Sequence, residues 1–77
     1  MRKVNPKQAA TIAEVVIVDY VESTGCQTSD DVAKVLELLI SKSARAIEKA
    51  VNNQKSVEVC FRTICNIQNH PMQVVKH

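Results

Sequence analysis

Four side chains in the last third of the chain are of types that bind metal ions: Cys60, Cys65, His70 and His77. Thiolates and imidazoles are the usual protein ligands of zinc. Their spacing as a set is not that of a zinc motif, and free cysteines are more often small buried apolar residues. We therefore expect no metal site.

The other residues that could do chemistry do not form a catalytic set. No local signature accompanies a Cys/His nucleophile pair. Asp30 and Asp31 fit the first turn of a helix better than a pair of catalytic carboxylates. The single glycine, Gly25, excludes a glycine-rich phosphate loop, and 77 residues leave little volume to enclose a water-free pocket. We expect no catalytic residue and no cofactor, and hence a protein that is not an enzyme.

Length and composition indicate one small domain over residues 1–77, with residues 70–77 as a candidate flexible tail. At 45% hydrophobic and 23% charged residues, the composition is that of a globular protein. Three cysteines are an odd number, and without a secretory signal they favour a reducing compartment. The longest apolar run, residues 15–18, is too short to span a membrane. We expect a cytoplasmic protein without membrane contact.

The first predicted helix has clear signals at both ends. Asn5 is a good N-cap, Pro6 suits the first helical position, and Gln8 stands where a capping-box partner reaches back. The helix should run to about Ser23, with Gly25 as its terminator. A buried strand over residues 14–20 is the alternative, because four successive β-branched residues favour sheets.

Apolar side chains nearly encircle this first helix, since ten of the thirteen residues from 9 to 21 are apolar. Such a helix is buried on most sides. A chain this short buries only about 60% of the surface that its unfolded form exposes. It has too little protein to cover the helix, so we expect a homodimer.

A second helix is predicted to start at Thr28, because hydroxyls cap helices and the following Asp30 and Asp31 favour the positive end of the helix dipole. Apolar residues then recur at steps of three and four as far as about Asn52. Two descriptions fit this pattern. Either one long helix runs through residues 29–52, or the helix breaks near residues 38–41 and a second one follows over residues 42–52.

The last third of the chain fits two secondary structures. Residues 57–67 alternate between apolar and polar side chains as in a half-buried strand, but their apolar residues also fit one face of a helix. Residues 69–71 indicate a turn, and residues 72–75 a short returning strand or a loose tail. The predicted fold is mainly α: a small three-helix domain, with a C-terminal β-hairpin and a short fourth helix as the two options left open.

Charge is distributed unevenly along the chain, although the net charge is only +2. Residues 14–37 contain six acidic and one basic side chain, whereas residues 38–77 contain six basic and two acidic ones. An asymmetry of this kind indicates either a nucleic-acid-binding face or a dipolar surface that pairs with a second copy of itself.

Three segments in order resemble the winged helix-turn-helix families: residues 17–22 (IVDYVE), 28–36 (TSDDVAKVL) and 41–47 (SKSARAI). The resemblance covers about 40 residues, with residues 57–75 in the place of a wing. It implies a recognition helix that starts at Ser41 and lies in the major groove of duplex DNA. The matching contact residues are Ser41, Lys42, Ser43, Arg45 and Lys49, with Lys55 and Arg62 able to reach the phosphate backbone.

Two functions follow as hypotheses. The first is a small dimeric DNA-binding transcriptional regulator that uses the seven residues above. The second is a helical protein-interaction module that binds and inhibits or adapts a larger protein partner, because apolar residues that cannot all be internal form docking surfaces. The residues expected at a dimer or partner interface are Ile12, Val16, Tyr20, Leu38, Leu39 and Ile40.

Overall fold

A computed structural model describes residues 3–72 of the chain. In this range the protein consists of three α-helices, α1 (Pro6–Ser23), α2 (Ser29–Ala50) and α3 (Asn53–Asn69), which confirms the prediction of a mainly α fold. The chain divides into two compact units, Met1–Leu39 and Ile40–His77. Unit 1 contains α1 and the first half of α2, and unit 2 contains the second half of α2 and α3.

Helix α1 begins and ends where its sequence predicts. The Asn5 side-chain oxygen accepts a hydrogen bond from the Gln8 backbone N–H at 2.8 Å, and the Gln8 side chain accepts one from the Asn5 N–H at 3.1 Å. Past the other end, Gly25 has a φ of 71°, a left-handed conformation that glycine adopts without strain. The alternative of a strand over residues 14–20 is wrong, because this reciprocal cap starts a helix that runs through the β-branched residues.

Helix α2 is a single 22-residue helix. Thr28 caps it by accepting a hydrogen bond from the Asp31 backbone N–H at 3.1 Å, as predicted. Of the two descriptions, the single long helix is confirmed and the break near residues 38–41 is wrong. Leu38, Leu39 and Ile40 include no glycine or proline that would favour a helix end, and the helix continues through them.

Helix α3 replaces the strand that was one option for residues 57–67. Asn52 caps it, accepting a hydrogen bond from the Lys55 backbone N–H at 2.7 Å. A C-terminal β-hairpin is therefore a wrong prediction over residues 57–67, and no strand occurs between residues 3 and 72. Because α2 is continuous, the C-terminal helix is the third rather than a short fourth one. The predicted tail or returning strand lies partly in residues 73–77, outside the described range.

Unit 1 is held together by a hydrogen bond between its two helices. The Tyr20 hydroxyl donates to the Val35 backbone carbonyl of α2 at 2.8 Å, and both residues are half-buried. Val32, Leu36 and Leu39 are half-buried as well, at the three- and four-residue steps of one α2 face. One side of α1 therefore packs against one side of α2.

Unit 2 has a corresponding bond between α2 and α3. The Ser56 hydroxyl donates to the Ala44 backbone carbonyl at 2.6 Å, and Ser56 is only 6% exposed. The pairing of a serine with an alanine lets the two backbones approach closely, because neither side chain is large. Ile47, Val59 and Cys60 are half-buried beside this contact.

Hydrophobic burial is incomplete in both units. Between residues 3 and 72 no apolar side chain is fully buried, and Ser56 is the one buried residue. The two hydrogen bonds between helices thus bring the helices together without enclosing an apolar core. Within the same range, none of the helices is both long enough and apolar enough to cross a membrane.

The close contact at Ser56 limits the size of the side chain that position 56 can hold. Ser56→Leu should lower the free energy of unfolding by about 1–3 kcal/mol, because the larger side chain forces α2 and α3 apart. Ser56→Ala should cost about 1 kcal/mol, through loss of the hydrogen bond alone. Urea unfolding at fixed protein concentration measures both, with Ser43→Leu at an exposed α2 position as the control. Equal effects of the leucine at positions 43 and 56 would contradict the packing described.

Candidate interaction surfaces

Unit 1 presents an apolar line on the outer side of α1. Ile12, Val15 and Val16 are 53%, 57% and 51% exposed, and they share a face because they are three and four residues apart. Asp19 and Glu22 continue the same line toward the C-terminal end of the helix, and both are exposed. We call these five residues the α1 stripe. It is apolar at one end and acidic at the other.

Unit 2 presents an open groove between α2 and α3, with a volume of about 480 Å³. Its floor is the close contact of Ser56 with Ala44. Val57, Phe61 and Ile64 form its apolar α3 wall and are 60%, 65% and 53% exposed. We call this the α2–α3 groove, and its remaining lining residues are Ser41, Arg45, Glu48, Asn53 and Cys60.

A cluster of three polar side chains lines one end of the α2–α3 groove. Glu48 accepts a hydrogen bond from the Asn53 side chain at 2.6 Å and one from the Arg45 guanidinium at 2.8 Å. These two bonds, that from Asn53 first, hold the pKa of the Glu48 carboxyl below its ordinary value. The hydrogen bond to Glu48 in turn raises the pKa of Arg45. The cluster links the last turns of α2 to the first turn of α3 across a two-residue connection.

The residues predicted to contact DNA all lie in unit 2, and all seven are exposed. Lys42, Arg45 and Lys49 form a line along one face of α2, at steps of three and four. Ser41 and Ser43, however, do not stand at a helix start. They lie inside α2, where backbone N–H groups are bonded within the helix and are not free to bind a phosphate.

Two of the predicted cations are paired on the helix surface. Arg45 forms an ion pair with Glu48 at 2.8 Å, and Lys55 forms one with Glu58 at 3.4 Å. Among residues 3–72 the expected turn before Ser41 is not present, since α2 passes through its position, and α3 occupies residues 57–69 of the expected wing.

The residues predicted at an interface divide into two groups. Ile12, Val16, Leu38 and Ile40 are 53%, 51%, 59% and 67% exposed. Tyr20 and Leu39 are half-buried in unit 1, where the Tyr20 hydroxyl contacts α2. The groove wall is absent from the predicted set. Its signal was the spacing of Val57, Phe61 and Ile64, which is visible only when α3 is taken as a helix.

The candidate metal ligands do not come together within residues 3–72, where no group of three or more such side chains could hold an ion. Cys26, Cys60 and Cys65 are free thiols, each half-buried. His77 lies outside the described range.

Comparison with known proteins gives no relative for this chain: no protein-family model, no curated protein and no solved structure matches it. What defines the protein is therefore its own geometry. It is a helical protein with an apolar and acidic stripe on one unit and an apolar groove on the other.

The Glu48 cluster predicts a dependence of stability on pH. Because its pKa is lowered in the folded protein, Glu48 stabilises the fold above the ordinary carboxyl pKa of 4.5, and this contribution is lost as the pH falls through the lower folded value. Glu48→Gln should therefore flatten the acid end of a plot of thermal midpoint against pH. Glu58→Gln is the control, since Glu58 makes a longer ion pair within α3 only. Identical acid profiles for the wild type and Glu48→Gln would contradict the cluster's role.

Proposed function

We propose that this chain is a helical protein-interaction module that works as a homodimer and docks on a larger protein partner, which it inhibits or adapts. The observation that carries the proposal is the lack of any buried apolar side chain within residues 3–72, combined with apolar residues that are about half exposed on both units. Exposed apolar residues in a continuous line or groove are typical of docking surfaces.

A partner that covers Ile12, Val15 and Val16 would add free energy of apolar burial to the folded state. Complete burial of a Val or Ile side chain stabilises by about 1.5–3 kcal/mol. Since Ile12, Val15 and Val16 are half exposed, covering them contributes about 3 kcal/mol per copy. A small domain whose net stability is only about 5 kcal/mol depends heavily on a term of that size.

Binding of duplex DNA is the second candidate, and the line of Lys42, Arg45 and Lys49 supports it. Such a line neutralises phosphates without a recognition helix. The interaction module is preferred because the unbroken α2 removes the helix start on which base recognition depended, and because exposed charges at this spacing are common on any surface helix.

Light scattering with and without a mixed-sequence DNA duplex tests the two candidates together. The wild type should have twice the 8.5 kDa mass of one chain, unchanged by DNA at moderate salt. Val16→Glu should raise the dissociation constant of the dimer about tenfold or more, because it places a charge in the contact. Ala10→Glu adds the same charge to an exposed position on the opposite side of α1 from the stripe and should leave the dimer intact.

Two results would contradict the proposal. One is a wild type that is folded and monomeric at all concentrations. The other is a mass that rises on addition of DNA and falls again with increasing salt, which would establish the DNA candidate instead.

A further inference from the structure

Among residues 3–72, the α1 stripe in unit 1 and the α2–α3 groove in unit 2 are apolar surfaces whose residues are about half exposed. We propose that the groove of one copy takes the α1 stripe of a second copy, so that the dimer is head-to-tail. This inference rests on the proposed function, because it names the partner and the geometry of the dimer. Ile12, Val15 and Val16 would cover the groove wall formed by Val57, Phe61 and Ile64.

Charge complementarity selects the second copy as the occupant. The α1 stripe ends in Asp19 and Glu22, and both are exposed. Lys42 and Lys49 lie on the α2 face beside the groove and form no ion pair among residues 3–72, whereas Arg45, which lines the groove, is paired with Glu48. If α1 of a second copy lies in the groove, its apolar residues cover the groove wall. Its acidic end can then lie beside the lysines of α2, so that opposite charges meet.

The position of Glu22 is a second indication that this acidic end meets a positive surface. Glu22 lies in the last turn of α1, where no basic residue is present. A carboxylate there faces the negative end of the helix dipole, which is unfavourable for the isolated helix. Lysines of another copy at this end would offset that cost.

Symmetry makes the head-to-tail contact efficient. In a two-fold dimer each copy gives its stripe to the other copy's groove, so the same contact forms twice. Leu38 and Ile40 are 59% and 67% exposed and belong to neither surface, so they stay available to the larger partner. Pairing of the two α1 stripes with each other would instead leave Val57, Phe61 and Ile64 of both grooves uncovered.

A charge-exchange experiment separates these two arrangements. The acidic end is reversed in the variant Asp19→Lys/Glu22→Lys, and the basic face in the variant Lys42→Glu/Lys49→Glu. A third variant carries all four changes. Arg45 is left unchanged because it holds Glu48. The lysines in the first variant suit the C-terminal end of α1, so a weaker dimer would not result from a weaker helix.

Analytical ultracentrifugation at low salt then measures the dissociation constant of each dimer. Each two-residue variant should raise it about tenfold, because opposite charges become like charges at two symmetric contacts. The four-residue variant should return to within a few-fold of the wild type, since both faces are reversed together. High salt should reduce all of these differences.

The reactivity of Cys60 gives a second measurement that does not depend on charge. Cys60 lines the groove, so in a Cys26→Ser/Cys65→Ser background it should react more slowly with a thiol reagent as the fraction of dimer rises. A dimer through paired α1 stripes would leave its reaction rate independent of concentration.

The outcomes distinguish failure of this geometry from failure of the proposed function. A wild-type dimer whose dissociation constant is unaffected by either two-residue variant, or not restored by all four changes, overturns the head-to-tail geometry alone. The same holds if Cys60 reacts at one rate at all concentrations. A wild type that never dimerises overturns the proposed function itself.

Discussion

The exposure of apolar side chains is the constraint on which the rest of this structure depends. Each unit contains one hydrogen bond between its helices, from Tyr20 to Val35 in unit 1 and from Ser56 to Ala44 in unit 2. Such bonds fix how two helices meet, but a single hydrogen bond contributes only about 1 kcal/mol to stability. The main favourable term in folding is burial of apolar surface. In residues 3–72 that burial is only partial, since no apolar side chain is fully buried.

The polar residues define the helix starts, and the exposed apolar residues form the surfaces that we propose to bind a partner. Asn5, Thr28 and Asn52 each cap a helix, so the three helix starts are encoded locally. The cap of α3 is reinforced by the Glu48 cluster, which joins α2 to α3 across a short connection. Local signals of this kind set where the helices start, but most of the stability of a helix comes from packing of its apolar face.

Much of the fold could be predicted from the sequence because capping is a short-range property. The bounds of α1 followed from Asn5, Pro6 and Gly25, and the start of α2 followed from Thr28. The secondary structure of the last third could not be predicted, because short-range patterns there fit both a strand and a helix. Residues 57–67 have both strand-like alternation and a helical face, and Asn52, predicted as the end of the second helix, is the cap of α3.

The prediction of the candidate site depended on the secondary structure expected for residues 38–67. The resemblance to DNA-binding proteins required a turn before Ser41, and the continuous α2 removes that turn. The groove wall of Val57, Phe61 and Ile64 was not predicted as an interface, because the segment was left open between a helix and a strand, whose alternate residues point to opposite faces. The α1 residues Ile12 and Val16, by contrast, were predicted as interface residues and are about half exposed in the structure.

The central claim is that another copy of the chain completes the burial that one copy lacks. Thermal unfolding followed by far-ultraviolet circular dichroism over about a hundredfold range of protein concentration tests it most directly, since association with the folded state makes the midpoint depend on concentration. We expect the midpoint to rise steadily with concentration. A cooperative transition whose midpoint is the same at every concentration would contradict the claim.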